Sequence, residues 1–351
     1  MAGALKVLMV GMGGVGQRHA RNLRTLLGPD LTLSAYRTRP AAPVISERMQ
    51  IESGADIASS HRLTEFTDLD AAIAEHPDVV VISNPTSLHI STALTAARAG
   101  CHLFLEKPIS HNLQGVRELL EIVHEKNLVA FVGHQLRFHP LLLKLKQLLS
   151  EERIGRVIAV RAEFGEYLPN WHPYEDYRQS YAARRELGGG VILSQIHDFD
   201  YLIWLFGLPH RLLCVGGKLS DLEIDVEDTA STLMSCRYQG RTIPIHLHQD
   251  LCRKVSRRSC QVIGDKGEIT ADIANGILQV VGADGQIEVT HSFSTLERNQ
   301  LFLDAMKHFL SCLQSGTTPC VSARDGANGL NVALMALKSL QTGQPAEVIP
   351  L

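Results

Sequence analysis

Long apolar runs are missing from this chain. No stretch approaches the ~18 consecutive apolar residues that a membrane-spanning helix needs, so no bilayer span is expected. The early stretch LKVLMVGMGGVG has one lysine and no arginine ahead of its apolar core, and glycines interrupt it. That is not the pattern of a secretory signal. Cysteines number seven, an odd and scattered set without a C-x-x-C pair, which argues against a disulfide framework or a zinc ribbon. A reducing compartment fits better, and a cytoplasmic protein is expected. An excess of either charge is also absent: 34 Lys and Arg face 37 Asp and Glu, spread along the chain. Nothing here resembles a nucleic-acid footprint or a polybasic membrane anchor.

What is present is the composition of a globular protein, 45% hydrophobic and 20% charged over 351 residues. One large or two ordinary domains are expected. Up to about residue 133, short apolar runs alternate with amphipathic stretches. KVLMV (6–10), LTLSAY (31–36), DVVVIS (78–83), HLFLE (102–106) and LVAFVG (128–133) read as strands. Nearly continuous apolar strands separated by helices imply a parallel sheet covered on both faces. After residue 150 the rhythm changes. A strand at 156–164 precedes a loop rich in Trp, Tyr, His, Pro and Arg (165–187), a triple glycine and the helical pattern VILSQIHDFDYLIWLFG. Residues 210–291 read mostly as strands with hairpin turns at GDKGE and GADGQ, an antiparallel pattern. Two helices follow, the second opened by a Ser322/Asp325 capping box and stopped at Gly343. The expected fold class is α/β: a dinucleotide-binding domain over 1–133, then an α+β domain with a large, mostly antiparallel open sheet over 134–351.

GMGGVG places Gly11, Gly13 and Gly16 in a G-x-G-x-x-G pattern, with Met12 and Val15 between them. A strand precedes it and an amphipathic helix follows, the context in which backbone N–H groups and a helix N-terminus receive a pyrophosphate. A purely structural tight turn is the plainer alternative. The end of the second strand bears on which dinucleotide. An NAD site usually places Asp or Glu there. Here no acidic residue occurs between Leu31 and Ser46, and Arg37 and Arg39 stand instead. A guanidinium suits a 2′-phosphate by charge and bidentate geometry, so NADP is the expected cofactor, with NAD possible.

HLFLEKPIS (102–110) ends a buried-looking strand on a lysine between a carboxylate and a proline. By itself such a lysine is usually a solvated strand end. Ligands of parallel sheets bind at the carboxyl ends of strands, however, and Lys107 stands at one. His246 and His248 share a strand face, but no third ligand has recognisable spacing, and no metal site is expected.

Together, GMGGVGQRH, NPTSLH (84–89), EKP (106–108) and GGGVILSQIHDFDYLIWLFG (188–207) resemble the glucose-fructose oxidoreductase, inositol dehydrogenase and rhizopine-catabolism family, Gfo/Idh/MocA. The resemblance runs over essentially the whole chain. It implies that Lys107 lies beside the nicotinamide and the reacting oxygen, with Glu106 tethering nearby groups and a cis peptide at Pro108. It places Asn84 and Pro85 near the nicotinamide ribose, with His89 close by. It turns Gln135 and Arg137 toward the cleft, although Arg137 fits a structural interdomain pair equally well. It makes His197 the general acid/base, a task suited to imidazole. The commonest family pattern has an aspartate four residues before this histidine, and Leu193 stands there instead. Asp200, at i+3 on the helix, could orient His197; Asp198 points elsewhere. In the loop, Trp171 and Tyr181 suit a polyhydroxylated substrate, and a lid or dimer contact is the alternative.

The reading is an NADP(H)-dependent oxidoreductase acting on a secondary hydroxyl or ketone of a sugar, amino sugar, cyclitol or nucleotide-sugar. A non-redox lyase or hydratase using bound nucleotide transiently, and a dinucleotide-binding regulator, are the alternatives. A homodimer or homotetramer through the C-terminal sheet is expected.

Overall fold

The computed structural model describes residues 3–38, 42–47 and 49–351. The chain begins with β1 (Leu5–Val10), α1 (Gly14–Leu27) and β2 (Leu31–Tyr36), followed by a small hairpin of β3 (Val44–Ile45) and β4 (Ile51–Glu52). Then come α2 (Ile57–His61), β5 (Thr64–Phe66), α3 (Leu69–Ala74), β6 (Val79–Ile82), α4 (His89–Arg98), β7 (His102–Leu105), α5 (Val116–Glu125) and β8 (Ala130–Val132). Six of these strands form one parallel sheet in the order β5-β2-β1-β6-β7-β8. All four residues of β6 are buried, as helices on both faces demand. The strand order reverses between β1 and β6, and at that switch point a parallel sheet opens a ligand crevice.

α6 (Pro140–Ser150) leads to β9 (Val157–Tyr167) and the long loop, then α7 (Val191–Ser194) and α8 (His197–Phe206). The strands β10 (Pro209–Gly217), β11 (Thr229–Tyr238), β12 (Arg241–Asp250), β13 (Cys252–Gly264), β14 (Gly267–Asp272), β15 (Ile277–Gly282) and β16 (Ile287–Ser292) complete the second domain's sheet with β9 and the short β17 (Ala346–Glu347). This nine-stranded sheet is antiparallel except for one parallel pair, β9 with β12. The GDKGE and GADGQ turns connect β13 to β14 and β15 to β16 as hairpins.

The last helices, α9 (Arg298–Ser315) and α10 (Ala323–Thr342), return to the first sheet. Val132 N donates to Val321 O, Phe309 packs edge-on against Phe104, and α9 lies along α1. The Ser322/Asp325 capping box is formed, and Gly343 ends α10 in the left-handed conformation. The helical segment after the triple glycine is broken between α7 and α8. There Gln249 Nε2 holds the Gln195 carbonyl at 2.8 Å, and Arg258 holds the Gln195 side chain at 2.6 Å.

Candidate active site

The glycine loop closes the crevice end of β1. Gly11 has φ +94°, and a Cβ there would meet Asn84 N at 2.5 Å. A Cβ on Gly16 would meet Gly11 O at 2.1 Å. These two glycines let the helix and the β6 loop close onto the turn. Gly13 differs: it is exposed, and a Cβ there would meet nothing. That open space over the start of α1 fits a pyrophosphate approaching the backbone. Met12 is buried beneath the turn, where its carbonyl accepts from Gln17, and Val15 faces partly outward.

Arg37 follows β2 and is nearly buried. Its guanidinium meets the carboxylate of Glu65, supplied by the neighbouring strand β5. The acid that the sequence lacks near β2 thus arrives from the next strand. Arg37, expected to suit a 2′-phosphate, thus shares its charge with Glu65. Arg39 lies outside the described residues.

Beyond β7 stands Glu106-Lys107-Pro108, with a cis Lys107–Pro108 peptide. Glu106 is buried, accepts from His19 of α1 at 2.6 Å and accepts from the Lys107 amide at 3.2 Å. Burial alone would raise its carboxyl, but His19 and Lys107 outweigh it and hold Glu106 below the usual carboxylate range. Glu106 therefore ties β7 to α1. Pro85 opens the turn leading into α4. His89 is fully buried between two main-chain carbonyls, Pro108 O at 2.7 Å and Asn84 O at 2.8 Å. It staples the β6 loop to the EKP loop, leaving no ring nitrogen for a cofactor. Asn84 Nδ2 donates to Thr92, and its Oδ1 is buried without a partner.

Lys107 Nζ donates to Ser194 O at 2.7 Å, so the end of β7 reaches the end of α7. Three residues further on, His197 begins α8, buried, with Nδ1 unpartnered. Desolvation first, then the charge of Lys107 and of neighbouring cations, push His197 well below its ordinary range. It stands as neutral imidazole, the form that can accept a proton.

Asp200 does not orient His197. Its two oxygens are taken by Arg137, Nη2 to Oδ1 at 2.6 Å and Nε to Oδ2 at 2.9 Å. Both side chains are buried, and Arg137 also donates to Cys320 O at 3.1 Å. Arg137 and Asp200 thus form a buried ion pair with each other. Asp198 turns the other way, toward Arg258 Nε at 3.3 Å.

A residue not singled out in the sequence, His134, sits between these groups. It is completely buried, Nδ1 lies 3.8 Å from Asp200, and its ring meets His197 at 5.5 Å in a T-shaped contact. Its position just past the carboxyl end of β8 was the available signal. The buried polar atoms without partners include His197 Nδ1, His134 Nδ1 and Nε2, Ser194 Oγ, Gln135 Oε1 and Asn84 Oδ1. Such atoms cost free energy unless a ligand or water satisfies them.

In the long loop, Trp171 and Tyr181 pack partly buried against the core. Trp171 faces Phe164 at 6.4 Å, and its Nε1 is unpartnered. Tyr174 reaches back to the glycine loop, where a Cβ on Gly14 would meet its hydroxyl at 2.7 Å. His248 is engaged by Ser231 at 2.8 Å and Asp250 at 3.3 Å, and among the described residues no metal-binding cluster forms.

Family models match this arrangement in two parts. Residues 5–134 match the oxidoreductase family with an NAD-binding Rossmann fold, and residues 142–270 match the GFO/IDH/MocA C-terminal domain. The chain belongs to the Gfo/Idh/MocA oxidoreductase family. It is an NAD(P)-dependent oxidoreductase acting on CH–OH groups. It is 25% identical to the myo-inositol 2-dehydrogenase of Thermotoga maritima over 96% of each chain. It is 27% identical to the 1,5-anhydro-D-fructose reductase of Ensifer adhaerens, over 90% of this chain and 94% of that one. A levoglucosan dehydrogenase solved with NADH shares the fold at TM-score 0.82 and 18% identity, covering 99% of this chain and 100% of the other. Among the described residues, no helix is long and apolar enough to cross a membrane.

Proposed function

We propose that the protein transfers hydride between NADP(H) and a secondary hydroxyl or ketone of a sugar, amino sugar, cyclitol or nucleotide-sugar. One observation carries the reading: Lys107 and His197, ninety positions apart, are joined through the 2.7 Å bond from Lys107 Nζ to Ser194 O. The glycine turn, Asn84 and Pro85 would hold the dinucleotide, and the nicotinamide supplies the hydride acceptor or donor. Neutral His197 takes the hydroxyl proton in oxidation and returns one in reduction. The Lys107 ammonium stabilises the alkoxide as it develops. The names of the two relatives, an inositol dehydrogenase and an anhydrofructose reductase, support a polyhydroxylated substrate.

The preference for NADP(H) is supported by the position of Arg37 after β2 and by the lack of an acid in that segment. Glu65 competes with a 2′-phosphate for this guanidinium, so Glu65→Gln should increase the preference. We further propose that the chain divides at residue 133 and pairs through the outer face of its large sheet. There the exposed Leu213 and Leu233 stand directly opposite each other on β10 and β11.

The test is a fluorescence titration of nucleotide-stripped protein with NADPH and NADH, then a panel of sugars and cyclitols with the oxidised cofactor. Tighter binding of NADPH and reduction of the nucleotide by a polyol support the reading. Preference for NADH removes the role of Arg37, and binding of neither nucleotide overturns the whole assignment.

A further inference from the structure

We propose that Arg18 and Arg298 form a recognition site for an anionic group, carboxylate or phosphate, so that the substrate is an acidic or phosphorylated sugar. This rests on the oxidoreductase reading and narrows its substrate class.

Arg18 lies on the second turn of α1, half-buried, with its guanidinium carbon 4.7 Å over the ring of Phe302. Phe302 and Arg298 are four residues apart on α9 and therefore share a helix face. Arg298 thus stands on the α9 face that the Arg18 guanidinium covers. The two helices are held together there, because Asn22 of α1 and Asn299 of α9 exchange amide hydrogen bonds at 3.0 and 3.4 Å. Among the described residues neither arginine makes an ion pair, and the only side-chain acceptor for Arg18 is Met49 Sδ at 3.6 Å, a weak one. The carboxylate whose field reaches Arg18 is Glu106, and His19 and the Lys107 amide already occupy it.

Two like charges beside each other, one half-buried, are unfavourable until an anion joins them. Burial, then Arg298 and Arg21, lower Arg18 to about 10. Phe302, which Arg18 covers, also meets the His19 ring at 6.0 Å, and His19 holds Glu106 beside Lys107, so the arginines lie next to the loop that carries the proposed catalytic lysine. Tyr174 of the long loop overlies Gly14, one turn before Arg18 on α1.

The dinucleotide's pyrophosphate has the same chemistry and lies nearby. It is served by the first turn of α1 and the open Gly13, whereas Arg18 is turned aside onto α9. The experiment separates these sources. Wild-type protein saturated with NADH is titrated with inorganic phosphate at constant ionic strength, alongside Arg18→Met, which keeps an apolar stem over Phe302, and Arg298→Gln. Phosphate should bind the NADH-saturated wild type and weaken about tenfold or more in each variant, with NADH affinity unchanged. In the same assay D-glucuronate should bind more tightly than D-glucose to the wild type, and the variants should lose that difference. Phosphate that binds only stripped protein, in competition with NADH, assigns the anion to the cofactor and overturns the proposal. Absence of a phosphate response with normal NADH binding overturns this inference alone. Failure of wild type to bind either NADH or NADPH overturns the oxidoreductase reading instead.

Discussion

Arg137 grips Asp200 with two parallel hydrogen bonds, at 2.6 and 2.9 Å, across 63 residues of sequence. The pair joins the segment leaving β8 to helix α8, which carries His197 at its first position. Removing one member of a buried ion pair strands the other charge, at a cost of about 3–5 kcal/mol. Asp200→Asn and Arg137→Met should each lower the urea midpoint accordingly. The double variant Arg137→Met with Asp200→Leu should recover much of the loss. If either single variant unfolds like wild type and only weakens substrate binding, the pair belongs to the cleft after all.

The parallel sheet was legible because its strands are buried on both faces and read as unbroken apolar runs; β6 is VVVI with every residue buried. β5 was not, because it has three residues at the sheet edge, none of them buried. With β5 missed, the Glu65 carboxylate opposite Arg37 was invisible. Helical spacing placed Asp200 near His197, but spacing along one helix cannot reveal a distant arginine that binds the acid more strongly. The break at Gln195 was hidden for the same reason, since its partners Gln249 and Arg258 come from strands 54 and 63 residues away.

The glycine turn separates packing from binding. Gly16→Ala would drive its Cβ to 2.1 Å from Gly11 O and 2.8 Å from Ser83 Oγ, so the loop must deform. Thermal stability and dinucleotide affinity should fall together. Gly13→Ala meets nothing in the protein and has ordinary negative φ, so its melting temperature should stay near that of wild type. Its NADH affinity should still drop, at least about tenfold, because the new methyl occupies the pyrophosphate's approach. Calorimetry and fluorescence titration on the two variants read both quantities. Unaltered NADH affinity in Gly13→Ala would refute the placement.

Stability should carry two opposed pH limbs. Burial lowers His61 and His139 to about 4, and cationic neighbours add to this. The unfolded chain takes up those protons first. The stability from burying these residues neutral is therefore intact above about 6.5 and lost as the pH falls toward about 4. Glu227 runs the other way. Buried against Gly190, it is raised to about 7, chiefly by desolvation. Its folded form holds a proton that the unfolded chain has released, so stability declines as the pH rises from the ordinary glutamate range to about 7. Glu227→Gln can still accept from the Ile192 amide. It should gain roughly 1–3 kcal/mol at about pH 8 and little at about pH 5, measured by urea unfolding at each pH. Equal effects at both pH values would show that the carboxyl does not titrate in the fold.

Lys107 separates a catalytic charge from a structural one. Its ammonium acts on two groups at once: Ser194 O accepts its hydrogen bond, and its field helps keep His197 unprotonated. Lys107→Met keeps the length and apolar stem but removes the charge. Loss of a donor aimed at a developing alkoxide costs about 10²–10³ in kcat, so turnover of the alcohol should fall by that order while NADH still binds. The same variant should shift His197. Desolvation is the larger cause of its depression and remains, so the imidazole should titrate higher than in wild type yet still below its ordinary value. Nitrogen-15 NMR of the His197 ring reads this shift without any substrate. A fall in turnover with the predicted upward shift means that Lys107 serves the reacting oxygen and the proton acceptor together. A lysine that only braces α7 would lower the melting temperature and leave turnover by the folded protein near that of wild type.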